Sequence, residues 1–327
     1  MRREKTIEER YQELKSLVPD RLRAEFDQIE AGERLPELTQ DIPFKSIYDV
    51  DVHPERIEEL LSLVFQESFQ ITGSAKEEAS KASIYSKKTI LDILARLSNN
   101  GLANAEMQVA AQEFIAQRTE IYASELIIMQ YSVQKNQLKS EITYKDVPTN
   151  YLVVLMKESP KLFKDNPSFI HRKMEVTDTG VPLTSLAKIV YVELDKCVAQ
   201  VKAGMIPADM EQLCNLLAFI ADVNSENAKE IAKSNPNYSA IQLELANMVR
   251  DREAMFEMLA DKYEEIIHNS EVNQAKEEGE IIGVKKGEQR ILKLANAMLE
   301  NNQIEDIKRL QSDKKFLEEM LVKYHID

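Results

Sequence analysis

Cysteine is scarce in this chain. Cys197 and Cys214 are the only two in 327 residues, and no C-x-x-C pair is formed. That excludes a disulfide framework or a cysteine-built metal centre and suits a reducing cytoplasm. Histidine is equally thin: His53, His171, His268 and His325 are scattered without zinc-ligand spacing, and each reads as a surface or turn residue. No stretch approaches the roughly 18–20 consecutive apolar residues that span a bilayer, so no membrane segment is expected. The opening MRREKTIEERYQELK is charged throughout, unlike a secretory signal. Positive charge is also in deficit, with 42 Lys and Arg against 56 Asp and Glu and a net charge of −14. A polyanion would have to be held by local basic clusters, not by the molecule's total charge. Lys87, Lys88, Arg96, Arg118, Arg172 and Lys173 are the basic residues available for that.

The pattern of what is present divides the chain into three: an N-terminal helical extension over residues 1–40, a core over 41–200 and a helical region over 201–327. TIEERYQELKSLV spaces Ile7, Tyr11, Leu14 and Leu17 for a helix, and DRLRAEFDQIEAG ends a second one at Gly32. ERLPELTQDIP is a proline-interrupted linker. His53–Pro54 opens a helix with Ile57, Leu60, Leu61 and Val64 on one face. KKTILDILARL (87–97) and GLANAEMQVA (101–110) read as strands joined by SNNG turn chemistry. A long helix follows, with a buried stripe expected at Phe114, Ile121, Leu126 and Met129. YLVVLM is a continuous apolar run of the kind that fills a central strand, and SFIHRKMEV and AKIVYVELDK read as two more strands. This alternation predicts an α/β fold. From Val201 onward the periodicity is helical, and Met248, Met255, Met258 and Met298 read as core filler. Gly279, Gly283 and Gly287 fall four apart, either a smooth packing stripe or a weakly helical linker.

Chemistry concentrates in the hairpin. The first strand carries one carboxylate, Asp92, in an otherwise apolar run. The second carries Glu106 and Gln108, two apart and so on one face. A hairpin sets Asp92 beside Glu106. Two adjacent carboxylates repel unless a proton or cation offsets them, and a pair of hard oxygen ligands suits Mg²⁺.

The motif LDILARLSNNGLANAEMQ resembles that of the PD-(D/E)XK nuclease family transposases. Their core places an Asp on one strand and Glu-x-Gln on the next. The likeness extends upstream to DIPFKSIYDVDVHPERIEELLSLVF, similar to the family's D-x-x-F-K opening and first helix. Downstream it takes in RTEIYASEL, YLVVLMKESP, IVYVELDKC and the tail AKEEGEIIGVKKGE. Ala105 departs from the Ile or Val usual before Glu-Met-Gln, and residues 1–40 match nothing in the family.

The resemblance implies a restriction-endonuclease-like core, a mixed sheet flanked by helices. It implies a metal-dependent DNA endonuclease that hydrolyses phosphodiester bonds and, by the family's name, promotes recombination. Asp92 and Glu106 would hold Mg²⁺ or Mn²⁺, and Gln108 stands where the motif's usual lysine would be. Glu59 is a weaker candidate as an outer ligand. Arg118 and Tyr122, one turn apart on the long helix, would contact phosphate or buttress the sheet. DNA is the expected partner and the cytoplasm the expected location, with self-association, most simply as a dimer, through the helical regions. The alternatives are a catalytically degenerate fold kept as an interaction module, or a metal-dependent hydrolase with another substrate.

Overall fold

The computed structural model describes residues 5–75, 92–109, 113–138, 144–301, 303–311 and 313–326. The expected strand residues 87–91, Lys87 and Lys88 lie outside the described residues. The chain forms two compact units, Met1–Asp261 and Lys262–Asp327.

The first unit opens with α1 (Ile7–Leu17) and α2 (Asp20–Glu30). Thr6 and Glu9 close a reciprocal capping box at the start of α1. Gly32, at φ +73°, ends α2 in the left-handed conformation that glycine adopts without strain. Lys15 is ion-paired to Asp27 and Glu30, and Arg252 to Glu8 and Glu30. Arg10 lies over the Phe256 ring. These contacts fasten the N-terminal helices to the segment just before Asp261.

Helices α3 (Asp41–Ile47) and α4 (Pro54–Phe65) precede the sheet. Pro54 starts α4, where its missing N–H costs nothing. The expected apolar face of α4, at Ile57, Leu60, Leu61 and Val64, is buried. The strands are β1 (Ile71–Ser74), β2 (Ile93–Leu97), β3 (Leu102–Gln108), β4 (Asn150–Met156), β5 (Ile170–Arg172) and β6 (Ala187–Glu193), in the order β1-β2-β3-β4-β6-β5. β1 was not foreseen: ITGS holds one apolar residue facing the core, and the chain around it is polar. The pairs β1/β2, β2/β3 and β5/β6 are antiparallel, whereas β3/β4 and β4/β6 are parallel. The long helix α5 (Ile115–Leu138) lies between β3 and β4 in sequence, as a parallel connection requires.

Alternation assigns the two sheet faces. Ala103, Ala105, Met107, Val153, Leu155, Val190 and Val192 join α3, α4 and later helices in the main core. Leu94 and Leu102 pack with Leu126 and Met129 of α5, and Leu152, Val154, Ile189 and Tyr191 with Ile115 and Ala123 of the same helix. The stripe expected on α5 is half right. Leu126 and Met129 are buried, but Phe114 is 69% and Ile121 58% exposed. Seven residues bring a helix almost back to the same angle, so Phe114, Ile121 and Ile128 share the outer face while Ile115, Thr119, Ala123 and Leu126 face the sheet.

The division expected after residue 200 is not a boundary between compact units. After α6 (Leu194–Lys202), helices α7 (Glu211–Ala221), α8 (Glu226–Ser234) and α9 (Pro236–Met248) put Leu217, Phe219, Ile220, Tyr238, Ile241 and Leu245 into the main core. Arg56 of α4 ties this layer down, donating to Glu244 of α9 at 2.8 and 2.5 Å and to Ile47 O at 2.8 Å. The division falls instead within α10 (Arg252–Glu300).

The second unit takes the remainder of α10, a 3₁₀ segment Ile304–Gln311 and α11 (Lys314–Lys323). Its own small core is Leu294, Met298, Leu310 and Phe316. Gly279, Gly283 and Gly287 lie on α10, and among the described residues nothing comes within 4 Å of where a Cβ would project. Among the described residues, no helix is long and apolar enough to cross a membrane.

Candidate active site

The turn Ser98–Gly101 sets the site's register. Asn100 takes a left-handed φ of 64°, Asn100 N donates to Leu97 O, and Leu97 N donates to Gly101 O, both at 2.9 Å. From α5, Gln130 Nε2 donates to Asn100 O at 2.7 Å. In the resulting ladder Ile93 pairs with Ala105, which brings Asp92, just ahead of β2, level with Glu106.

The two carboxylates are then oriented by each other's main chain. Asp92 N donates to Glu106 Oε1 at 3.1 Å, and Met107 N donates to Asp92 Oδ2 at 2.8 Å. Asn104 Nδ2 also donates to Glu106 Oε1, at 2.7 Å. Asn104, Glu106 and Gln108 alternate along β3 on the face that looks toward α5, and all three are buried. Glu106 is 1% exposed, and its Oε2 has no hydrogen-bond partner among the described residues.

Electrostatics follow from that burial. Desolvation, then the negative charge of Asp92, push Glu106 up to about 7, against the opposing pull of Asn104, the Asp92 amide and Arg118. Burial likewise raises Asp92, and the Met107 amide and Lys45 only partly offset it. Such a pair favours a proton or a cation between its members.

Cations approach both carboxylates. On α5, Arg118 Nε donates to the Tyr122 hydroxyl at 2.6 Å, and the charge of Arg118 acts on Glu106. On α3, Lys45 Nζ lies 3.4 Å from Asp92 Oδ1 and 2.7 Å from Asp41 Oδ1. Sequence reasoning missed Lys45 and Asn104. Both had a signal: Asp41 and Lys45 are spaced i, i+4 in DIPFKSI, and Asn104 is two residues before Glu106 on the same strand face.

The structure therefore brings together Asp92, Glu106, Gln108, Arg118 and Tyr122. It does not bring Glu59 to them. Glu59 is on α4, the helix packed on the opposite sheet face, and its carboxylate accepts from the Tyr238 hydroxyl at 3.2 Å. Two of the basic residues proposed to flank the site are engaged elsewhere. Arg172 donates to Val64 O, and Lys173 pairs with Glu120 and Glu175. His171 is no surface residue either: Nε2 lies 2.8 Å from the fully buried Glu193, and the ring stacks on Phe163. Its strand position next to β6 turns it inward.

The fit to a divalent cation rests on the donor set. Asp92 and Glu106 offer hard carboxylate oxygens, and Glu106 Oε2 is a buried acceptor without a donor among the described residues. That chemistry suits Mg²⁺ or Mn²⁺ and is poor for soft metals. No group of three or more His, Cys, Asp or Glu with metal-binding geometry occurs among the described residues, so the two carboxylates would need water or substrate oxygens to complete a shell.

A mixed six-stranded sheet with helices on both faces and an acidic pair at adjoining strands is the architecture of a restriction-endonuclease-like α/β fold. The model of the PD-(D/E)XK nuclease family transposases matches residues 38–275, and the chain belongs to that family. No curated protein and no solved structure matches it.

Proposed function

We propose that the chain is a metal-dependent endodeoxyribonuclease that hydrolyses phosphodiester bonds in the cytoplasm with little sequence preference. The observation that carries this reading is the Asp92–Glu106 pair, in which each carboxylate accepts from the backbone of the other's strand segment while Glu106 Oε2 has no donor among the described residues. Asp92 and Glu106 would hold Mg²⁺ or Mn²⁺, which when bound supplies a Lewis acid for the phosphodiester and lowers the pKa of water.

The chain's own groups do the positioning. Asn104 and the two backbone amides fix the carboxylates before substrate arrives, so little reorganisation is needed later. The Gln108 amide has both donors and an acceptor, which suits orienting the attacking water or donating to a phosphate oxygen. It carries no charge. Arg118, oriented by the Tyr122 hydroxyl, adds positive charge on the Glu106 side.

The test is cleavage of supercoiled plasmid and of single-stranded DNA with Mg²⁺ or Mn²⁺. Wild type is expected to cut, and EDTA, Asp92→Ala or Glu106→Ala to reduce cutting to background. Wild type equal to Asp92→Ala with both metals on both substrates would leave a nuclease fold kept as an interaction module.

A further inference from the structure

Gln108 stands where the strand motif's lysine is expected, and it cannot supply that residue's charge. A cation nonetheless reaches the site from another element. Lys45 projects from the last turn of the seven-residue α3, and its ammonium lies 3.4 Å from Asp92 Oδ1. The other oxygen of Asp92 is already committed to the Met107 amide. One turn earlier on α3, Asp41 holds the same ammonium through both carboxylate oxygens, at 2.7 and 2.9 Å. The Lys45 side chain is 29% exposed, and its ammonium lies against Asp41 and Asp92.

Competition fixes the sense of this contact. Lys45 and a divalent cation would both be attracted to Asp92, and like charges that close repel. Asp41 offsets the conflict by giving the ammonium a second carboxylate within reach. The ammonium stays beside the reacting centre without depending on Asp92 alone. Arg118 is less suited to the same role, because its guanidinium already donates to Tyr122 and acts on Glu106.

We infer that Lys45 is the site's charge-supplying lysine, delivered from α3 in place of the cation missing at Gln108, with Asp41 as the anchor that holds it against Asp92. The inference deepens the nuclease reading and rests on it for its catalytic part. Lys45 would act as a positioning residue, offsetting the carboxylate pair and favouring a phosphate oxygen beside it.

The test reads metal affinity separately from turnover. Mn²⁺ binding to the full-length, metal-free protein is titrated calorimetrically for wild type, Lys45→Met, Lys45→Arg and Asp41→Asn, and DNA cleavage is followed in parallel. Lys45→Met is expected to bind Mn²⁺ about tenfold more tightly, because a nearby like charge is gone. Its cleavage should fall about 100-fold, the scale of losing one preorganised charge or donor. Lys45→Arg should restore most of both wild-type values. Asp41→Asn should weaken Mn²⁺ binding, since Lys45 then has Asp92 as its remaining carboxylate. A residue that merely props up α3 would give losses of one sign in all variants. Weaker Mn²⁺ binding in Lys45→Met, or wild-type binding and cleavage in that variant, overturns the inference. If wild type cuts no DNA yet Lys45→Met still tightens Mn²⁺ binding, the nuclease reading fails and the placement of Lys45's charge on the metal pair stands. Circular dichroism of each variant, with Lys45→Arg as the conservative substitution, separates a folding loss from these outcomes.

Discussion

Glu106 carries the clearest consequence of burial at single-residue scale. Its raised pKa means that the folded protein holds a proton which the unfolded chain, with an ordinary glutamate value near 4.5, releases. The folded state therefore binds more protons between about pH 4.5 and 7, and stability falls as pH rises through that window. The contribution is fully present below about 4.5 and lost above about 7, on the order of 3 kcal/mol in all. Asp92, raised for the same reason, acts with the same sign. Metal-free protein is expected to melt at lower temperature at pH 8 than at pH 5.5, with Mg²⁺ recovering part of the loss at pH 8. Glu106→Gln should flatten the dependence, and thermal melts across the pH series read it directly. A melting temperature that rises from pH 5.5 to 8 in wild type but not in Glu106→Gln would show the sign to be reversed. Asp92, Glu106 and Gln108 were legible as residues because strand alternation says which face each takes. The Asp41–Lys45 spacing marked Lys45 as paired within α3, but the local sequence does not say that α3 passes beside β2, so its approach to Asp92 was not legible. Glu59 failed for the complementary reason: a helix glutamate is available to many partners, and the fold gave it Tyr238.

Among the elements, the β2–β3 hairpin sets the site, and its turn leaves no room for change. A Cβ added at Gly101 would lie 2.7 Å from Thr149 O, a backbone atom that cannot swing aside, and 2.9 Å from Asn99 Oδ1. Gly101→Ala is expected to destabilise the protein by about 1–3 kcal/mol through overpacking. It should also loosen the Asp92–Glu106 clamp, because the turn fixes the register that sets the two residues level. Denaturant melts and Mn²⁺ titration measure the two effects; wild-type values for both would show that the strand ends absorb the strain. The turn was readable from SNNG, and the central strand β4 from its unbroken apolar run. β3 was read as a strand although LANAEMQ has little intrinsic β preference; it is held in the sheet by strands on both sides. The outer face of α5 was misread because Phe114 and Ile121 are apolar without being buried. Periodicity finds a stripe but does not say which side of the helix the sheet takes.

For the whole molecule, the second unit is where self-association is expected. It buries Leu294, Met298, Leu310 and Phe316 against one another. It does not use all of its apolar residues. Ile282, Ile291, Leu292 and Leu299 along α10, and Val322 on α11, remain between 45% and 75% exposed. An isolated α-helix of this kind gains little from propensity alone and is stabilised by burying such residues. The glycines at 279, 283 and 287 add a smooth stretch where a second backbone would find no side chain in its way. A symmetric pairing of two copies through this segment satisfies both features, since a two-fold contact presents the same surface twice. Full-length protein is therefore expected to run as a dimer at micromolar concentration in light scattering, and a chain ending at Asn269 as a monomer. The shortened chain should keep its melting transition, because the main core lies within Met1–Asp261. If both forms were monomeric, the exposed residues of α10 would have to serve a different partner. If both were dimeric, the contact would belong to the first unit, where the outer stripe of Ile121 and Ile128 on α5, with Phe114 just ahead of it, is the next exposed apolar surface to test.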